Sequence, residues 1–384
     1  MMRTRAVGRL LLLLPLVACT LLAALHGSAA RAQTRVYAGS NDTPDVLINA
    51  AFSNPTMTYG TAATDGGATT GGLLNQVRVF QSTSPGCSMV AQTHSGSDNV
   101  SIFVIDAAGG LHPAPGSPFA TGAGTQSLAW APDGGALYVP LAVGSSVVTL
   151  TVSCTAGGGS PTVANAGSVA LTGFSQLRDA AVIGAGAGTH LCVTGTLSNN
   201  VGCFPLTARI PGTTAVNTIT VPLARGIRIA PNNCGFAALG SASTVQAFTV
   251  SAGGTITATN TGTTSTQPRY GAITADGSLV AVGCDGPAFT LFSMNGSCQI
   301  TLVGSNVTSP PALDYYTAFD ANNLLYVSDS GTNQIRVFAP TAGGIGAAIS
   351  TSTINHAGSP TAPGGIDVAL ASSLPVELLE LTVE

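Results

Sequence analysis

Residues Asn99 to Pro140 read NVSIFVIDAAGGLHPAPGSPFATGAGTQSLAWAPDGGALYVP. The stretch contains short runs of β-branched, aromatic and aliphatic residues, and each run is bounded by glycine, proline, asparagine or aspartate. This pattern predicts a strand, a turn, a strand, a long loop, a strand, an Asp-Gly turn and a final strand. The stretch is the clearest copy of a unit that recurs along the chain.

A strand with a bulky apolar residue at its centre recurs at spacings of 44 to 54 residues. The central residues are Phe103, Leu150, Phe204, Phe248, Phe292 and Phe338. A tight turn precedes most of these strands, at Pro132-Asp133-Gly134, Pro231-Asn232-Asn233, Asp276-Gly277 and Asn322-Asn323. A unit of about 45 residues with four short strands has the size of a β-propeller blade.

Six such units span roughly residues 76–357, and the two ends of the chain supply a seventh. GGIDVAL at Gly364–Leu370 reads as an inner strand, and RVYAG, DVLINAAF and MTYGTAA near the N-terminus read as the other three strands. A blade built from both ends removes the open edge of the ring. The sequence therefore predicts an all-β, seven-bladed propeller of four-stranded blades in one domain, residues 33–373, with six or eight blades as alternatives. Residues 374–384 form a tail or an extra strand.

Residues 1–32 predict a secretory signal peptide. Three arginines precede the apolar run Leu10–Leu25, which is short for a membrane span, and Ala30-Arg31-Ala32 offers a small-residue cleavage site. A less favoured alternative is a lipid anchor through Cys19, since Leu16-Val17-Ala18-Cys19 resembles a lipoprotein cleavage box. We expect an exported protein, periplasmic or extracellular, with no membrane span.

The charge balance disfavours nucleic acid as a partner. The chain has no lysine, and loss of the signal peptide leaves eight arginines against sixteen acidic residues, a formal charge of −8. The glycines, 48 in all, occur in turns rather than in a phosphate-binding motif, and the histidines lack the spacing of metal ligands. We therefore predict no cofactor and no metal site. The sequence leaves the oligomeric state open, with a monomer favoured.

Seven cysteines remain after cleavage of the signal peptide. In an oxidising compartment this number predicts up to three disulfides and one free thiol. The candidate pairs are Cys87–Cys154 and Cys234–Cys298, which join neighbouring blades with the same offset, and Cys192–Cys203 across a hairpin. The remaining Cys284 is either a small buried apolar residue or, beside arginines, an activated thiolate.

Alignment of the blades places arginines repeatedly at the start of the inner strand. The equivalent residues are Arg78, Gln126, Arg178, Arg225, Arg269, Tyr315 and Gly364. Rotational symmetry would put the arginines around one mouth of the central channel. Clustered cations repel unless an anion or carboxylates lie between them. One hypothesis is an anion-binding mouth for a carboxylate or phosphate; the alternative is that each arginine bonds strand-end carbonyls or an aspartate such as Asp179.

Three segments, SDNVSIFVIDAAGGLHPAPGSPFATG, LAWAPDGGALYVP and YVSDSGTNQIRVF, resemble the repeat of lactonase-type seven-bladed propellers. This is the family of bacterial 6-phosphogluconolactonase and YVTN surface-repeat proteins. Gln267-Pro268-Arg269-Tyr270 is similar to the Gly-Pro-Arg-His stretch of these lactonases. The resemblance implies a site role for Arg269, while Tyr270 replaces the family's histidine and Cys284 replaces its acidic residue.

Three functions follow from these observations. The first is an exported propeller that binds a small anionic molecule or a protein partner at the mouth. The second is a lactonase, in which arginines hold the substrate and stabilise the oxyanion, and the third is a structural surface-repeat protein. The candidate ligand-binding residues are Arg78, Arg178, Asp179, Arg225, Arg269, Tyr270 and Tyr315, and no catalytic residue is assigned.

Overall fold

The computed structural model describes residues 34–40, 46–64, 76–82, 87–154, 160–286, 288–307, 315–356, 359–360 and 363–370. The predicted signal peptide and C-terminal tail lie outside these ranges. Within them the strands form seven antiparallel sheets arranged as the blades of a propeller, together with one short hairpin. The predicted all-β, seven-bladed fold is confirmed.

Blades 1 to 3 follow one another along the chain, and each begins with its innermost strand. Blade 1 comprises β4 (Val77–Phe80), β5 (Met89–His94), β6 (Asn99–Ile105), β7 (Leu111–Pro113) and β8 (Phe119–Ala120). Blade 2 comprises β9 (Ala129–Trp130), β10 (Ala136–Pro140), β11 (Ser146–Ser153) and β12 (Thr162–Ala170). Blade 3 comprises β13 (Leu177–Ile183), β14 (His190–Gly195), β15 (Asn200–Thr207), β16 (Ile210–Pro211) and β17 (Thr218–Thr220).

Blades 4 to 6 repeat this order. Blade 4 comprises β18 (Ala224–Ile229), β19 (Cys234–Leu239), β20 (Thr244–Val250) and β21 (Ile256–Thr263). Blade 5 comprises β22 (Pro268–Ile273), β23 (Leu279–Cys284), β24 (Ala288–Met294) and β25 (Ile300–Val307). Blade 6 comprises β26 (Tyr315–Phe319), β27 (Leu325–Asp329), β28 (Gln334–Phe338) and β29 (Ala348–Thr353), and the hairpin β30 (Asn355–His356) with β31 (Ser359–Pro360) follows it.

Blade 7 joins the two ends of the chain, as the sequence predicted. Its outer strands are β1 (Thr34–Ser40), β2 (Leu47–Ser53) and β3 (Thr56–Tyr59), and its innermost strand is β32 (Pro363–Leu370). Strand β1 pairs antiparallel with β32, from Thr34 opposite Leu370 to Ser40 opposite Pro363. The sheet thereby closes the ring through backbone hydrogen bonds between segments from opposite ends of the sequence.

The repeated apolar residues and the repeated tight turns have the same structural role in each blade. Every central apolar residue lies on the third strand of its blade and is buried, as Phe103 on β6 and Phe248 on β20 illustrate. The tight turns connect the first and second strands and contain a left-handed residue, with φ of 70° at Gly134 and 65° at Asn233. Glycine and asparagine tolerate that conformation better than other residues, which explains the composition of these turns.

Apolar side chains fill the spaces between neighbouring blades. One buried cluster combines Tyr37 and Leu47 of blade 7 with Val90 and Phe103 of blade 1. Equivalent clusters lie between the other adjacent blades in the described part of the chain. Because each blade packs on both faces, the second strands of blades 1 to 6 are buried throughout rather than at alternate residues; all six residues of β19 are buried.

Asparagine side chains also connect blades at the periphery. The amide of Asn260 donates to the carbonyl oxygen of Ile300 at 2.8 Å and accepts from its backbone N–H at 2.9 Å. Asn217 makes the same pair of bonds to Ile256, both at 2.8 Å. These bonds satisfy backbone groups on the outer strands of blades 4 and 5, which have no further strand beside them.

Three disulfides occur in the described residues, and they are the three pairs that the blade positions suggested. Cys87–Cys154 joins blades 1 and 2, and Cys234–Cys298 joins blades 4 and 5. Cys192–Cys203 bridges the directly opposed residues of β14 and β15. Cys284, at the end of β23, is free and buried.

The disulfide scheme predicts the thiol count of the mature protein. In a chain cleaved after Ala32, a thiol reagent should react with one cysteine per molecule of the unreduced, unfolded protein. After reduction it should react with seven. A Cys284→Ser variant serves as the control and should give no reaction before reduction. Two or more reactive thiols in the unreduced protein would contradict the scheme.

Candidate functional site

Three arginines occupy one layer at the start of the inner strands. Arg178, Arg225 and Arg269 each follow the first paired residue of β13, β18 and β22. The strand register shifts directly after that residue in all three blades, as between Leu177 and Ala180. A bulge of this kind changes the direction of side chains. We call this layer the channel mouth.

Arg78 differs from the prediction, because it lies one layer deeper in the channel. It pairs with Ala91 within β4, the register in which Arg228 pairs with Phe236. The sequence alignment counted residues back from the second strand of each blade, which assumes connections of similar length. The connection between β4 and β5 is longer, residues 81–88, than that between β18 and β19, residues 230–233, so the count gave the wrong layer for Arg78. Arg228 was not among the predicted site residues.

Asp179 is a buried carboxylate between blades 2, 3 and 4. Its Oδ2 accepts from Nη1 of Arg228 at 2.7 Å and from the backbone N–H of Ile227 at 3.0 Å. Its Oδ1 accepts from the Ser127 hydroxyl and from the backbone N–H of Ala180. Burial raises the pKa of Asp179 to about 6, although the Arg78 cation opposes the shift. Asp179 therefore takes up a proton at a higher pH than an exposed aspartate does.

Asp285 supplies a carboxylate to the channel mouth that sequence reasoning missed. Its Oδ2 accepts from Nη1 of Arg225 at 3.2 Å, and its Oδ1 accepts from Nε of Arg269. The resemblance placed the family's acidic position on Cys284, one residue earlier. An acidic residue directly after the second strand was the available signal, since that strand ends beside the mouth.

Arg178 contacts an amide rather than a carboxylate. Its Nη1 donates to Oε1 of Gln126 at 2.6 Å. Among the described residues no carboxylate lies within salt-bridge distance of Arg178 or of Arg78. Nη1 of Arg78 donates to the carbonyl oxygen of Val77 at 2.7 Å, while its Nη2 is buried without a hydrogen-bond partner.

Asp367 is the charged residue that the closing strand β32 contributes to the channel. Its carboxylate accepts from the backbone N–H groups of Val79 at 2.8 Å and Val368 at 3.0 Å. Burial raises the pKa of Asp367, and Arg78 opposes this shift as it does at Asp179. The guanidinium of Arg78 therefore acts on carboxylates of two different blades across the channel.

Tyr270 lies where the mouth arginines converge. Its ring is 4% exposed and stacks on Tyr316, with centroids 5.2 Å apart. Burial and the Asp179 carboxylate raise the pKa of Tyr270, and the charges of the three mouth arginines oppose the shift. The Tyr270 phenol therefore interacts electrostatically with cations from three blades. Tyr315 begins β26 opposite Asp329, and its side chain lies outside the described part of the structure.

Charged side chains from five blades line the channel. In the described residues the cations are Arg78, Arg178, Arg225, Arg228 and Arg269, and the anions are Asp179, Asp285 and Asp367. Arg225, Arg228 and Arg269 each bond to a carboxylate, whereas Arg178 bonds to the amide of Gln126. Arg178 is therefore the mouth arginine with capacity for an added anion.

Cys284 lacks the properties of an activated nucleophile. Its thiol is buried, and burial raises the pKa of Cys284, the opposite of the shift that favours a thiolate. The described residues contain no group of three His, Cys, Asp or Glu side chains that could hold a metal ion. In that same part of the chain there is no helix of sufficient length and hydropathy to cross a membrane.

Burial of Asp179 predicts a pH dependence of stability. Since its pKa is higher in the folded protein than in the unfolded chain, the folded state binds more protons between about pH 6 and pH 4. The contribution of this residue to the free energy of unfolding should increase by up to about 3 kcal/mol as the pH falls through that window. Asp179→Asn should remove that increase in urea unfolding series at pH 7 and pH 4.5. An unchanged pH dependence in the variant would contradict the assignment.

The fold is similar to several solved propellers, all at low sequence identity. A candidate 6-phosphogluconolactonase from Bacteroides fragilis NCTC 9343 superposes with a TM-score of 0.69 at 14% identity, covering 89% of this chain and 99% of its own. The periplasmic gluconolactonase PpgL of Pseudomonas aeruginosa gives 0.68 at 14% identity, covering 88% and 99%. A functionally unknown protein from Desulfotomaculum acetoxidans DSM 771 gives 0.65 at 15% identity, covering 88% and 99%.

Comparison with curated protein sequences finds no match. The sequence model of the family described as "Lactonase, 7-bladed beta-propeller" matches residues 80–313, which is more than half of the chain. That region includes blades 2 to 5 in full and all three arginines of the channel mouth. The chain belongs to the lactonase family of seven-bladed β-propellers.

Proposed function

We propose that this protein is exported and binds a small anionic molecule at the channel mouth. The observation that carries the proposal is the environment of Arg178, which contacts Gln126 but no carboxylate in the described residues. Arg225 and Arg269, by contrast, both bond to Asp285. Guanidinium groups bind carboxylates and phosphates through paired N–H donors.

Export is supported by sequence and disulfide chemistry. The N-terminal segment has the pattern of a signal peptide, and three disulfides are compatible with an oxidising compartment. One structural neighbour, the Pseudomonas aeruginosa protein, is named a periplasmic gluconolactonase. These observations support the proposal that the mature protein resides in the periplasm or outside the cell.

Replacement of Arg178 tests the binding site. Arg178→Met keeps the length of the apolar stem but removes the charge, so the affinity for gluconate and for inorganic phosphate should fall by about tenfold or more. Isothermal titration calorimetry at low ionic strength measures both anions. Because the site is electrostatic, added salt should also weaken binding by the wild-type protein.

Arg209→Met is the matched control. Arg209 lies in the turn between β15 and β16 of blade 3 and pairs at 2.8 Å with Asp133. Asp133 lies in the turn between the first and second strands of blade 2, at the opposite end of the inner strand from the mouth. This variant removes one arginine and the same charge but should leave anion affinity unchanged. Equal loss in both variants would indicate a nonspecific charge effect, and binding that survives Arg178→Met would exclude the mouth as the site.

Hydrolysis of a lactone is the second candidate function, and the properties of Asp179 favour it. Lactone hydrolysis requires a group that accepts a proton from the attacking water. Asp179, whose pKa of about 6 is raised by burial, is ionised above neutral pH yet more basic than an exposed aspartate. Since Asp179 is 0% exposed and both of its oxygens bond to protein donors, this hypothesis requires water to enter the channel with the substrate. Asp179 is then the general base, and the mouth arginines stabilise the developing oxyanion.

Turnover of glucono-δ-lactone, followed with a pH indicator and corrected for spontaneous hydrolysis, tests the second candidate. The rate should rise with pH through about 6, and Asp179→Asn should lower it by about a hundredfold or more. Asp133→Asn, a substitution of the same type far from the mouth, should retain full activity. Absence of turnover above background in the wild-type protein would exclude this lactone as a substrate.

A further inference from the structure

Two exposed apolar side chains lie on the face of the propeller that carries the channel mouth. Leu197 is 64% exposed and Val143 is 62% exposed, the highest fractions of any large hydrophobic residue in the described part of the chain. Leu197 lies in the turn between β14 and β15, and Val143 in the turn between β10 and β11. Single exposed apolar residues are common on protein surfaces, so the position of these two relative to the mouth decides what they indicate.

Leu197 lies directly above the mouth arginine of its own blade. The backbone N–H of Thr196 donates at 3.0 Å to the carbonyl oxygen of Gln176, which is the second residue before Arg178. Leu197 follows Thr196 in the chain. It is therefore about three residues, or about 10 Å, farther out along the strand direction than Arg178.

Val143 occupies the equivalent position in blade 2. The backbone N–H of Ala142 donates at 2.8 Å to the carbonyl oxygen of Gly124, which is the second residue before Gln126. Val143 follows Ala142 as Leu197 follows its donor. Because Gln126 is the residue that bonds to Arg178, both exposed apolar side chains border the same pair of mouth residues.

Blades 4 and 5 differ from blades 2 and 3 at this position. Both make the same backbone bond, at 3.0 Å and 2.7 Å, but the residue that follows its donor is Ser241 in blade 4 and Gly286 in blade 5. The arginines of these blades, Arg225 and Arg269, bond to the Asp285 carboxylate. The apolar side chains thus flank the mouth arginine that bonds to an amide, and serine and glycine flank the two that bond to a carboxylate.

Leu223 extends the apolar surface towards blade 4. Its backbone N–H donates at 2.8 Å to Oδ1 of Asn199, which lies in the same turn as Leu197. Its φ is 48°, a left-handed conformation that is costly for a residue with a bulky side chain. Backbone strain of this kind is concentrated at functional sites. We call Val143, Leu197 and Leu223 the apolar rim.

We propose that the ligand of the channel mouth is an amphiphilic anion, in which an acid group is attached to an apolar chain. The inference rests on the proposed function, since Arg178 holds the acid group. A chain that leads outward from Arg178 passes over the apolar rim, where contact removes apolar surface of both molecules from water. The rim therefore selects among acids by the length of their apolar chain.

Calorimetry with acetate, butanoate, hexanoate and octanoate, each below its micellar concentration, tests this selection. Every methylene that contacts the rim should tighten binding by the wild-type protein about two- to fourfold. The double variant Val143→Ser/Leu197→Ser should lower the affinity for octanoate about tenfold or more and leave that for acetate unchanged. Since both side chains are exposed, the melting temperature of this variant without ligand should equal that of the wild type.

The matched control is the double variant Val216→Ser/Leu302→Ser. These residues are 45% and 54% exposed, and they lie on the outer parts of blades 3 and 5. Their replacement should change the affinity for none of the acids.

Two sets of results separate this inference from the proposed function. If the wild-type protein binds neither these acids nor inorganic phosphate, the proposed function fails and this inference fails with it. If phosphate binds but octanoate binds no more tightly than acetate, the apolar rim alone is overturned. A dependence on chain length that Val143→Ser/Leu197→Ser retains, or that the control variant also loses, overturns it equally.

Discussion

The antiparallel pairing of β1 with β32 is the constraint on which the rest of the structure depends. These strands come from opposite ends of the chain, and their backbone hydrogen bonds close the seventh blade. Without that pairing, blades 6 and 1 would each expose an apolar face, because each blade packs on both sides. Closure also brings Asp367 into the channel beside Arg78, so the architecture and the charge distribution depend on the same contact.

The channel brings together charged residues that are few and widely separated in the sequence. Only 7% of residues are charged, yet five arginines and three aspartates from five blades meet around one axis. Asp179 occupies the centre of this network, since its carboxylate bonds to Ser127 of blade 2 and to Arg228 of blade 4. The side chain of Asp179 is buried, and the low local dielectric strengthens its bonds.

Sequence reasoning succeeded for the fold because the repeat is local. Turn residues such as Gly134 and apolar centres such as Phe103 recur at a nearly constant period, and each reports on the strand that contains it. Alignment of the blades also identified that Arg178, Arg225 and Arg269 share one layer of the inner strands. It misplaced Arg78, because one long connection breaks the period, and it overlooked Asp285, which follows its strand rather than lying in it.

The sequence by itself determined the all-β propeller architecture and the blade that contains both chain ends, since strand patterning and turn chemistry act between near neighbours. It favoured seven blades but left six or eight as alternatives. Only the tertiary structure decided which charges meet. The partners Arg228 of Asp179, Asp285 of Arg225 and Gln126 of Arg178 are separated by 49, 60 and 52 residues. Such contacts depend on the rotation between blades and on bulges that redirect side chains, and neither leaves a mark on composition or spacing.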